Sequence, residues 1–265
     1  MIIDVNAWTG PWPTLVNVPH DVASVRASLR NLGVERIFMA PLAAAWSANP
    51  HLSNSEVYEA AEKYDEVSPV PVIDPTIPTW PEELEKAAEH HAVRMIKLLP
   101  GYGGYDLAVT DDLLEEAHRA SLVVMIQVRI DDPRRHHPLA MVPDVSARDV
   151  VEAAKHHPEL KLVIGGASAT VLSDFKEELR ELPGFHADTS QVDGMDSVKM
   201  LVDKGLGGKL LFGSHAPVFM PAAAVARVVN DLSDDAAIAL LEDNAAKLMS
   251  VRTGDLNPKT SNAPP

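Results

Sequence analysis

The side chains best suited to chemistry in this 265-residue chain stand at or just past the ends of short aliphatic runs. Lys97 closes Met95-Ile96-Lys97, and Arg129 follows Ile126-Gln127-Val128, with Arg134 shortly after. Such cations suit a carboxylate or phosphate, because a guanidinium grips the anion with two parallel hydrogen bonds. A lysine in apolar surroundings can also titrate near neutrality and act as a base or form a Schiff base. His215, after Leu211-Phe212-Gly213-Ser214, is the candidate general acid and base, since its intrinsic pKa lies near operating pH, and Asp188 or Asp193 is the candidate to orient it. Asn6 and Gln127 can donate hydrogen bonds to a developing oxyanion. Trp8, with Trp12 and Trp46, offers an aromatic wall for a planar substrate, and His137 joins the substrate-binding set from the loop that carries Arg134. Simpler roles stand beside these: Arg129 paired with Asp131 or Asp132, Lys97 with Asp188, His215 bound to a backbone carbonyl, and the tryptophans as loop packing. Adjacent strand residues face opposite ways, which disfavours Ser214 and His215 as a nucleophilic pair.

The elements that must position these groups read as eight strand candidates: Met1–Val5, Val34–Ala40, Val67–Ile73, Val93–Leu98, Leu122–Val128, Leu160–Ile164, Gly184–Asp188 and Lys209–Phe212. Amphipathic segments separate them, which is the form of repeated βα units. Thr79-Trp80-Pro81-Glu82 has the residues of a capping box, and Thr110 and Ser146 precede helices with early carboxylates. His90-His91 and His156-His157 end two helices, a structural role for histidine. Strict alternation predicts a (β/α)8 TIM barrel spanning 1–252 as one domain, with a polar, proline-rich tail over 253–265 expected to be flexible. A doubly wound sheet would want a glycine fingerprint after the first strand, and none is there.

Composition narrows the partners. A formal net charge of −15 argues against nucleic acid and anionic membranes, both of which need a basic face. With no cysteine there is no disulfide, thiolate metal site or cysteine nucleophile. No apolar run approaches the roughly 20 residues that span a bilayer. The expectation is a cytoplasmic protein with a small anionic substrate, compatible with a homo-oligomer.

The opening Met1-Ile2-Ile3-Asp4-Val5-Asn6-Ala7-Trp8 resembles the Ile-Asp-x-His-x-His of the amidohydrolase superfamily, in its amidohydrolase-2 branch of TIM-barrel hydrolases and decarboxylases. Gly33-Val34-Glu35-Arg36, Met95-Ile96-Lys97-Leu98 with Pro100, Leu211-Phe212-Gly213-Ser214-His215-Ala216-Pro217 and Asp243-Asn244-Ala245-Ala246-Lys247-Leu248 resemble further family motifs in the same order. By this resemblance the family's metal-binding histidines correspond to Asn6, Trp8, Gln127 and Gly166, and its eighth-strand aspartate to His215. A catalytic zinc normally has three protein ligands drawn from imidazole, carboxylate or thiolate. The expectation is therefore a rebuilt pocket with no metal and no cofactor: a hydrolase or lyase in which His215, Asp188, Asn6 and Gln127 act on a carboxylated, possibly cyclic molecule held by Trp8, Lys97, Arg129, Arg134 and His137. Two alternatives are a binding barrel without catalysis and a metallohydrolase with ligands relocated to His136, His137 and His215.

Overall fold

Among the described residues, eight short parallel strands carry the fold, and their side chains alternate between a filled interior and a surrounding layer of helices. The computed structural model describes residues 1–136 and 141–249. The strands are β1 (Ile2–Thr9), β2 (Val34–Pro41), β3 (Val67–Pro69), β4 (Met95–Leu98), β5 (Val123–Gln127), β6 (Leu162–Gly165), β7 (Phe185–Asp188) and β8 (Leu210–Leu211). They form a sheet ordered β1-β2-β3 and another ordered β4-β5-β6-β7-β8, with every pairing parallel.

Backbone hydrogen bonds join the two sheets at both seams. At one, Val5 N donates to Phe212 O at 2.9 Å and Trp8 N to Ala216 O at 2.8 Å. At the other, Lys97 N donates to Pro71 O at 2.9 Å and Ile73 N to Lys97 O at 3.0 Å. The prolines at 69 and 71 explain why β3 ends early, since a proline has no donor to give the ladder.

Val5, Val72, Met95, Met125, Val163 and Leu211 belong to the inner cluster. Their neighbours Ile37, Ile96, Val124, Ile164 and Leu210 pack outward with helix residues such as Leu84, Leu114 and Val150. This period-two division is what a barrel wrapped in helices requires. The helix Asn244–Met249 places Ala245, Leu248 and Met249 against the inner cluster, and Leu248 O accepts from Lys161 Nζ at 2.9 Å near the start of β6. The chemistry is thereby left to the opposite end of the barrel.

The predicted helix starts are mixed. Ser146 caps Ala147–His156 by accepting from Asp149 N, and Asp111 and Asp112 lie in the first turn of Asp111–Arg119. Thr79 makes no side-chain cap, so the capping box read there does not form; its backbone, at φ −91° and ψ 16°, is not the extended conformation of an N-cap. Among the described residues no helix is long and apolar enough to cross a membrane. The tail expected beyond 252 lies outside the described residues.

Candidate functional site

The site begins with a defect in β1. The register against β2 shifts between Asp4 and Ala7, so one strand contributes both Val5 to the apolar interior and Trp8 to the ring of residues above it. Such bulges re-aim side chains beside functional sites. Asp4 fixes the distortion: its Oδ1 accepts from Asn6 N at 3.1 Å and Ser214 N at 2.9 Å, and its Oδ2 accepts from Ser214 Oγ. Burial raises the Asp4 carboxyl to about 6, against these opposing bonds. The sequence reading passed over Asp4, although a lone carboxylate inside Ile2-Ile3-Asp4-Val5 was the available signal.

Above the apolar interior, Asn6, Lys97, Gln127 and Asp188 form one buried polar layer. Lys97 Nζ donates to Asn6 Oδ1 at 2.6 Å. Asn6 Nδ2 donates to Asp188 Oδ2 at 2.5 Å and lies 3.3 Å from both Gln127 Oε1 and Ser190 Oγ. Gln127 Nε2 donates to Arg129 O at 2.7 Å, and Gly166 N to Asp188 Oδ1 at 2.8 Å. Two glycines make this layer possible. A Cβ on Gly213 would stand 2.8 Å from Asp188 Oδ2, and one on Gly166, at φ +70°, would stand 2.4 Å from Arg129 O.

Lys97 is the charged anomaly. Its acceptor is an uncharged amide, and among the described residues it makes no ion pair. The Trp8 ring covers it, with Nζ 3.7 Å from the centroid. Burial pulls its pKa from 10.5 to about 7, although Asp188 and Asp4 oppose that shift. Asp188 is also raised by burial, which the bonds from Asn6, Gly166 and Ser190 offset in part.

His215 does not have the geometry of an acid and base. Its Nε2 lies 2.6 Å from Ile130 O and must carry the proton, while Nδ1 accepts from Trp8 Nε1 at 3.4 Å. Both ring nitrogens are engaged, and burial lowers its pKa to about 3, leaving a neutral strut between Trp8 and the loop after β5. Its backbone has φ 58°, and its N donates to Asn6 O at 2.9 Å. The oxyanion role read for Asn6 and Gln127 meets the same difficulty, because their amide donors are turned toward Asp188 and the Arg129 carbonyl.

The cationic set divides. Arg129, with a quarter of its side chain exposed, donates from Nε to Gln191 Oε1 at 3.0 Å and approaches Asp144 Oδ2 at 3.5 Å. Its partners are therefore neither Asp131 nor Asp132. Arg134 pairs with Asp132 and has 89% of its side chain in solvent, which takes it out of the site. His137 lies outside the described residues. The aromatic wall also divides: Trp12, Trp46 and Tyr102 meet with centroids 5.4–5.8 Å apart, while Trp8 lies over Lys97. Beside Tyr102 a narrow cleft of only about 20 Å³, room for about one water, is lined by Val72 and Leu99.

A profile of the family described as amidohydrolase matches residues 23–250. The chain belongs to the amidohydrolase family. The match begins after β1, the strand that carries Asn6 and Trp8. No curated protein sequence matches the chain. Among solved structures, 5-carboxyvanillate decarboxylase from Sphingomonas paucimobilis superposes with a TM-score of 0.72 at 14% identity, covering 91% of this chain and 86% of that one. A 2,6-dihydroxybenzoate decarboxylase complexed with 2,6-dihydroxybenzoate gives 0.71 at 15%, covering 94% and 99%. A probable 2-pyrone-4,6-dicarboxylic acid hydrolase from Acinetobacter baumannii with citric acid bound gives 0.64 at 14%, covering 94% and 99%. The TIM-barrel expectation agrees with this family and these folds.

The residues of this amidohydrolase do not fit the metal that the family resemblance implies. The centre of the layer offers two amides, one carboxylate already bonded on both oxygens, an indole and a lysine amine, where a divalent ion needs several imidazole or carboxylate donors. His215, the ligand suggested for a relocated site, has no free nitrogen. Among the described residues one grouping, Glu62 with His90 and His91, is tight enough for an ion. It precedes β4, at the far end of the barrel, and His90 Nδ1 accepts from Ala92 N at 3.2 Å, which leaves the ring proton on the Nε2 that faces Glu62.

Proposed function

We propose that the protein is a metal-independent enzyme of the amidohydrolase family that decarboxylates a small carboxylated ring compound, with Lys97 as proton donor and Arg129 as the anchor for the anion. The observation that carries this reading is the buried lysine amine, hydrogen-bonded to an amide alone and poised near neutrality. Such a group is present in both protonation states at operating pH, which is what general acid–base catalysis wants. The ammonium form delivers a proton to the ring carbon bearing the carboxylate. The carbon–carboxylate bond then breaks, its electron pair restores the ring, carbon dioxide leaves, and the amine regains a proton from solvent. Arg129 suits the carboxylate because part of its guanidinium faces the open side of the barrel. Two similar folds being decarboxylases of carboxylated aromatics supports this substrate class.

The test is turnover of 2,6-dihydroxybenzoate, 5-carboxyvanillate and related acids, alongside metal content by elemental mass spectrometry. Turnover with substoichiometric metal, retained after chelation and reduced about 100-fold or more by Lys97→Met, is the expected result. Activity that tracks added metal, or a fully active Lys97→Met protein, overturns it. A second reading, a binding barrel without catalysis, is favoured by the Trp8 ring covering Lys97. Ligand binding without turnover across the panel would select it.

A further inference from the structure

We propose that Lys97 Nζ also acts as a nucleophile, condensing with the ketone of a small 3-oxo acid to form an imine through which carbon dioxide is lost. The inference rests on the same site as the decarboxylase reading but asks more of it, a covalent bond rather than a proton transfer.

Three features converge on this chemistry. The amine has an amide acceptor and no ion pair among the described residues, and burial outweighs the charges of Asp188 and Asp4, so part of the population has a free lone pair at neutral pH. The Trp8 face 3.7 Å away stabilises a cation on that nitrogen, which favours the protonated form of the imine. The Asp188 carboxylate, one amide away through Asn6, balances the iminium without competing for the nitrogen. The amine is buried beneath the Trp8 indole, so a ligand reaches it once the indole turns aside from its long 3.4 Å bond to His215.

The chemistry balances with water alone. The amine attacks the ketone carbon, the carbonyl oxygen leaves as water, and an iminium remains. The bond to the carboxylate breaks, its electron pair moves toward the iminium to give an enamine, and carbon dioxide departs. Protonation of the enamine carbon and addition of water release the ketone and restore the amine.

The experiment is reductive trapping of the native protein with acetoacetate and cyanoborohydride, followed by intact mass and peptide mapping. A single reduced adduct on the peptide carrying Lys97 is expected, forming faster as pH rises through 7, faster still in Trp8→Phe, and not at all in folded Lys97→Arg. The wild-type map does not depend on whether either variant folds. Labelling that misses Lys97, or that spreads over surface lysines equally in wild type and Lys97→Arg, overturns the imine. If trapping fails while Lys97→Met still abolishes decarboxylation of the aromatic acids, the proton-transfer reading stands and the imine alone falls.

Discussion

Replacing Lys97 with methionine should change the pH dependence of stability more than stability itself. In the folded protein the amine titrates at about 7 rather than 10.5, so between those values the unfolded chain binds more protons than the native one. Stability of the wild type therefore rises with pH across that window, by as much as about 1.4 kcal/mol per unit. Over the whole interval this amounts to about 5 kcal/mol, which is the burden that holding the lysine imposes at pH 7. Methionine removes the burden and fills similar space beneath Trp8, but it leaves Asn6 Oδ1 without its donor, a loss of about 1–3 kcal/mol. The variant should then be more stable than wild type by about 2–4 kcal/mol near pH 7 and less stable by about 1–3 kcal/mol above pH 10.5. Urea unfolding of both proteins at intervals from pH 7.5 to 10 measures the difference directly. Parallel profiles for the two proteins would show that Lys97 is an ordinary solvated ammonium and would remove the basis of the site.

Three further outcomes are expected. Gly166→Ala, with its positive φ and a Cβ 2.4 Å from Arg129 O, should be strongly destabilised, and Gly213→Ala should lose about 1–3 kcal/mol by crowding Asp188; denaturant midpoints measure both. His215 should stay neutral with its proton on Nε2 from pH 5 to 9, because burial holds its pKa near 3, so nitrogen-detected NMR showing a titration in that range would contradict the strut geometry. Ser214→Ala should cost about 1–3 kcal/mol, since Asp4 Oδ2 loses its donor while buried, a loss visible as a lower thermal midpoint.

The sequence exposed the scaffold better than the site. Each expected strand contains an observed one, or overlaps it, because buried parallel strands write themselves as aliphatic runs; β1 ran on through Thr9 because a bulge, invisible to periodicity, carries it past Asp4. Asn6, Lys97, Gln127 and Asp188 were all named from strand ends, and the fold brings them into one layer. Their roles were harder to read. Whether an amide faces a substrate or its neighbour depends on distances across the barrel, and only coordinates show that Asn6 spends both ends on Lys97 and Asp188. Arg134 misled for a local reason: Asp132 is two residues away and claims it first. The His215 reading rested on intrinsic pKa, which full burial overrides.

The backbone of Lys97 is itself a stitch in the seam between the two sheets, donating to Pro71 O and accepting from Ile73 N. Among the described residues a single isolated bridge, Val72 to Lys97, stands at that seam, whereas β4 and β5, and β5 and β6, share ladders. Amide hydrogen exchange at Lys97 and Ile73 should therefore outpace that of Val124 and Ile126 in the middle of the five-stranded sheet. The barrel would breathe along the line where the buried Lys97 amine is mounted, so that opening the wall there and exposing the amine to solvent are a single event.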